Sequence, residues 1–180
     1  MTWKKLKILK PLQMNNVIAS NTIRFVVLLL AQVMICNNIN FLGYINPYIY
    51  IIFILLYPVG SNRMLFITLA FLLGLFVDIF MDSGGVHAGA SVVLAFVRPV
   101  FLKYAFGTLY EHQVLKFGSL QINELVVYIA CMTFFHHFTA FLLEFFNIFQ
   151  ILLILKKTLV FSLFTSIISV LLIILFRARK

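Results

Sequence analysis

Apolar residues run along this chain in long blocks separated by short polar breaks. A helix needs about 20 residues to cross a hydrocarbon core of about 30 Å. On that measure the sequence predicts six membrane segments, Ile23 to Ile39, Pro47 to Val59, Met64 to Met81, Val86 to Tyr104, Gln121 to Phe146 and Ile148 to Phe176. The second is too short to span comfortably as a helix, so it is expected to be tilted, re-entrant or continuous with the Asn-rich break before it. That break, Cys36-Asn-Asn-Ile-Asn40 followed by Gly43-Tyr-Ile-Asn-Pro47, is rich in turn formers. Their backbone groups need water or protein partners, which places them at an interface or in a protein-lined recess.

Composition makes the solvent a lipid. Of 180 residues, 63% are hydrophobic and 11% charged, against roughly half and a quarter in a soluble domain. A water-soluble fold of this length would leave much of that apolar area facing water. The expected fold is therefore an all-α integral membrane protein, a single bundle of about six transmembrane helices over residues 23–176. A basic tail (1–22) precedes it and a basic end (177–180) follows.

The net charge of +9 does not point to nucleic acid, because the basic residues sit at the ends of apolar runs and form no continuous face. Lys4, Lys5, Lys7, Lys10, Arg24, Arg63, Lys103, Lys116, Arg177, Arg179 and Lys180 fall on one side of a six-span arrangement, and the opposite loops Asn37 to Asn46 and Asp82 to Val86 hold none. Both termini are then expected to be cytoplasmic. Lys156 and Lys157 break the pattern: either they snorkel outward, or the last helix begins at Lys156 with Ile148 to Leu155 along the membrane surface. In the tail, Trp3, Leu6, Leu9 and Leu12 recur at helical spacing among lysines, as in an interfacial helix on anionic lipid, and a disordered basic tail is the alternative. No cleavage site follows, so the tail is expected to be retained.

Polar groups inside the spans are costly and ask for a partner or a function. Their densest cluster runs from Gly74 to Gly89. Gly74, Asp78 and Asp82 recur every four residues, which puts them on one helix stripe, with a glycine that lets a neighbouring backbone approach. Ser83, Gly84 and Gly85 supply a turn and the start of a next helix carrying His87, and Gly85 with Gly89 makes a small-xxx-small contact. The segment reads as a tight helical hairpin with carboxylates near its outer end. Asp82 is expected to cap locally, and Asp78, a turn deeper, to anchor a partner or a buried polar network. Arg98 lies inside the fourth span, and a pair with Asp78 across the hairpin would give it a counter-charge.

Enzyme templates do not complete. Gly74-x3-Asp78-x3-Asp82 matches half of the motif of membrane phosphotransferases that use CDP-alcohols, but no Asp or Glu precedes Asp78. No protease set is present either. His136 and His137 are adjacent and point in different directions, so a satisfied or interface-lying pair is expected in place of a metal site. Cys36 and Cys131 carry no metal or redox spacing. No cofactor, metal or catalytic residue is expected.

The segment Gly74-Leu-Phe-Val-Asp78 with Asp82-Ser-Gly-Gly85-Val-His87-Ala, preceded by Gly43-Tyr-Ile-Asn-Pro47-Tyr-Ile-Tyr and Leu56-Tyr-Pro58, resembles the rod shape-determining MreD family of bacteria, in its Bacteroidetes form. The resemblance covers residues 23–176, with its specific motifs between Gly43 and His87. Lys156 and Lys157 depart from the pattern. It implies a non-catalytic subunit of the cell-elongation machinery in the bacterial inner membrane. The partners it implies are MreC, and with it MreB, RodA and a penicillin-binding transpeptidase. The fold it implies is similar to the substrate-binding S component of energy-coupling-factor vitamin transporters. An S component as such is the alternative function. That reading needs a small-residue docking stripe on the first helix, and Phe25 to Met34 offers one alanine.

Overall fold

The computed structural model describes residues 3–41, 43–111, 115, 117 and 120–177. Lys116, Arg179 and Lys180, counted above for orientation, lie outside them, as do the side chains of Trp3, Leu6, Leu9 and Leu12. The described chain is helical: α1 (Trp3–Met34), α2 (Ile51–Leu56), α3 (Arg63–Met81), α4 (Val86–Glu111), α5 (Ile122–Phe145) and α6 (Ile151–Arg177). Five helices are long and apolar enough to cross a membrane, with spans at Ile18–Asn38, Arg63–Met81, Val86–Tyr110, Ile122–Phe145 and Ile151–Phe176. The protein is a multi-pass helical membrane bundle.

The second segment, too short to span comfortably, is counted among the six expected spans but is not a spanning helix. It contains only the six residues of α2, and it lies in the interior of the bundle, where Tyr50, Ile51, Ile54 and Leu55 have no exposed surface. Gln32 of α1 holds the carbonyl of Pro47, and Arg24, two turns earlier on α1, holds that of Leu56. Those anchors are about 12 Å apart along the helix. Segment 45–59 therefore threads the core antiparallel to α1. A segment apolar all round belongs in a core, and its non-helical backbone is tolerated at this depth because protein surrounds it.

Helices α3, α4, α5 and α6 pack as successive antiparallel neighbours around this segment. The α3–α4 hairpin is closed by Gly74, whose absent side chain admits the backbone of α4. A Cβ there would lie 2.5 Å from the His87 carbonyl oxygen and 2.6 Å from the Ala88 Cα. Gly84 and Gly85 form the turn with φ of +64° and +95°, and Asp82 ends α3 in the left-handed region with its N–H bonded to the Asp78 carbonyl. The expected Gly89 contact is with the Leu143 side chain of α5, not with α3. Because backbone cannot yield as a side-chain tip can, Gly74→Ala is expected to cost about 2–3 kcal/mol and lower the thermal midpoint by roughly 5–10 °C. Gly84→Ala, strained in φ but with open space around it, should cost about half as much. Equal midpoints for Gly74→Ala and the parent in a detergent melt would disprove the close contact.

At their starts, α1 and α6 are continuous helices. Residues 3–22 are helical and continue into the first span. Helix α6 starts at Ile151, so it does not begin at Lys156. The Lys157 ammonium instead lies 4.6 Å from the ring centre of Phe145, the last residue of α5, a cation–π placement at the end of that helix.

Candidate functional site

The polar interior has two poles, one at each end of the threaded segment. At the hairpin pole, the Asp78 carboxylate accepts from the His87 N–H at 2.9 Å, the Ala88 N–H at 2.7 Å and the Ser83 hydroxyl. These amides are first-turn donors of α4, which the helix itself cannot satisfy. Asp78 is thus an N-cap supplied from the preceding helix, with an anion placed at the positive end of α4. Its local role holds the hairpin together, and through His87 it also joins a buried network. Asp82 is exposed and serves as the C-cap of α3.

Arg98 does not pair with Asp78. It sits ten residues beyond Ala88 on α4, about 15 Å further along the helix, and both carboxylate oxygens are already engaged. Its guanidinium forms the opposite pole: Nε donates to the Tyr128 hydroxyl at 3.2 Å, and Nη2 donates to the carbonyls of Leu55 and Tyr57. Tyr128 also donates to the Leu55 carbonyl, at 3.1 Å. Arginine and tyrosine thereby satisfy the end of α2, whose last carbonyls have no helical partner. The ring of Phe66 lies 5.2 Å from the guanidinium carbon. Pro99, which follows, supplies no N–H and is accommodated inside α4.

Between the poles lies a cluster of histidine and tyrosine. The Tyr50 hydroxyl is 3.0 Å from His87 Nδ1 and 2.8 Å from His136 Nε2. One hydroxyl proton serves one of these contacts, so the other ring nitrogen must carry its own hydrogen. Tyr48 stacks on His137 with ring centres 4.9 Å apart. His137 Nδ1 faces the Thr133 carbonyl at 2.8 Å, and a carbonyl only accepts, so that nitrogen bears the proton. Nε2 of a neutral ring then accepts from the Thr165 hydroxyl, which in turn accepts from the Tyr48 N–H. Both histidines are fully buried and neither faces the lipid. His136 Nδ1 has no partner among the described residues.

The sequence reading passed over Gln32 and Arg24. Gln32 is fully buried in α1, accepts from the Tyr50 N–H and donates to Pro47 and Asn37. Arg24, counted only as a flanking charge, reaches inward to Leu56. The signal for Gln32 was a lone polar residue inside an apolar run. The protein partners that the Asn-rich break requires come partly from within it: Asn46 accepts from the Asn40 N–H and donates to the Asn37 carbonyl.

The site residues therefore separate. Gly74, Asp78, Asp82, Gly84, Gly85 and His87 build the hairpin pole, Gly89 meets α5, and Arg98 belongs to the other pole. Among the described residues, no three His, Cys, Asp or Glu side chains converge on one point. No family model, no curated protein and no solved structure matches the chain.

Proposed function

We propose that the chain is a non-catalytic membrane subunit of the bacterial cell-elongation complex, of the MreD kind, docking MreC and through it the actin-like MreB, RodA and a transpeptidase. One observation supports this reading. Two of the stretches that carry the resemblance, separate in sequence, meet: Tyr50 bonds His87, at the hairpin that Asp78 caps and Gly74 closes, while Leu56 to Pro58 lie at the other pole. A hairpin bonded to the threaded segment is a unit suited to a scaffold. The threaded segment supplies a sixth traverse, which fits cytoplasmic termini on one face of the inner membrane and an S-component-like bundle.

Docking in a membrane relies on packing and on interhelical hydrogen bonds. The outer ridge of α6 offers Leu159, Leu163, Ile167 and Leu171, all exposed and about one turn apart. Mild-detergent purification of the tagged protein from its own host is expected to recover MreC and the elongation synthases. Leu163→Trp should reduce that recovery without altering the melt of the isolated protein. Recovery of an ATPase with a coupling subunit, or of a bound vitamin with no protein partner, would replace this reading with the transporter one.

A further inference from the structure

Beside the Arg98 pole lies a cavity of about 310 Å³, walled by the turn from Tyr57 to Ser61 and by Arg63, Arg98 and Leu102. Its volume falls in the range of small-ligand sites, roughly 300–1,000 Å³. Arg63 is the first residue of the α3 span, and Arg98 lies twelve residues from either end of the α4 span, so the cavity reaches from the end of one span into the middle of the next.

Arg98 is 4% exposed, and its described partners are two carbonyls and a hydroxyl, none of them charged. Nη1 donates to no described residue, while the side chain lines the cavity. A buried cation with neutral partners retains a desolvation cost that an anion would offset. The facing wall is suited to one. Gly60 has φ of +83° at the centre of the turn over residues 59–60, and among the described residues the N–H groups of Val59 and Gly60 have no acceptor. Successive free amides in such a turn form an anion-binding concavity. Arg63, exposed at the rim, adds a second guanidinium. Asp78 and Asp82 are at the opposite pole.

We propose that this cavity binds a phosphate group, carried by a phospholipid head or free, between the Arg98 guanidinium and the amides of the Gly60 turn, with Arg63 at the rim. The planar guanidinium fork matches phosphate oxygens in pairs. Val59, Pro99 and Leu102 give the remaining wall an apolar character suited to the glycerol and first methylenes of a lipid. The inference is independent of the elongation-complex reading.

The test is the melting of the full chain in dodecyl maltoside, titrated with phosphatidic acid, with diacylglycerol of the same chains and with inorganic phosphate. A rise in midpoint with phosphatidic acid alone identifies a lipid head group as the source, and a comparable rise with inorganic phosphate identifies the free anion. Arg63→Gln and Ser61→Asp, both at exposed positions that leave the core untouched, should each raise the half-saturating concentration about tenfold. No rise with either phosphate probe, an equal rise with diacylglycerol, or half-saturation unchanged in both variants would overturn the proposal.

Discussion

Asp78→Ala is expected to destabilise the protein by about 4 kcal/mol, because it strips the acceptor from two buried amides that nothing else nearby can satisfy. The His87 and Ala88 N–H groups lose bonds of 2.9 and 2.7 Å together with the negative charge at the start of α4. Asp78→Asn retains one acceptor oxygen but turns an NH2 toward a second donor, so it should fall between parent and alanine. The measurement is the thermal midpoint in detergent, read with the monodisperse fraction in size-exclusion chromatography. A shift of less than about 2 °C for the alanine variant would mean that the α4 amides find other partners.

Arg98→Met carries the second large effect, about 3 kcal/mol, and its signature is local. The variant relieves a buried charge, which is favourable. It also leaves the Leu55 and Tyr57 carbonyls short of donors, at about 1–3 kcal/mol each, with Tyr128 still bonded to the first. The end of α2 should loosen while the hairpin pole stays closed. Amide hydrogen exchange is expected to accelerate across residues 51–57 and to remain slow at His87 and Ala88. Arg98→Lys should recover little, since a single ammonium cannot reproduce the spread of Nε and Nη2. Uniform acceleration through α4 would show that Arg98 supports the whole bundle instead.

These two residues also show what the sequence can and cannot reveal. The hairpin was legible because its determinants are local: Gly74 and Asp78 share a helix stripe, and Ser83-Gly84-Gly85 can only be a turn before a new helix start. The Arg98 partner was not legible. Seeking a counter-charge favours Asp78, the nearest acid on the neighbouring helix, whereas the observed acceptors are backbone carbonyls, which every residue possesses and no sequence advertises. The long spans were readable from apolar length. For segment 47–59 the same criterion shows only that it is too short to span comfortably; that Tyr48 to Leu55 are buried inside the bundle is beyond a length rule. His136 and His137 were read from their angular separation on one helix. Both are satisfied in the interior, because Tyr50 covers one face of α5 and Tyr48 with α6 covers the next, partners that the spacing on α5 alone does not reveal. Gln32 has no periodic partner in α1, so pattern analysis gave it no weight.

The threaded segment also constrains the order of biosynthesis. Residues 45–59 leave the ribosome before α4, α5 and α6, yet their backbone depends on Arg98, Tyr128 and Thr165 from those helices. A six-residue helix is far below the length at which an apolar stretch is inserted as a span on its own. On emergence it has α1 to hold it, through Gln32, Arg24 and the Phe25 ring against Phe53. Helices α3 to α6 must therefore enter the bilayer and close around a segment already waiting beside α1, so the second stretch of the chain to be synthesised is the last to reach its final environment.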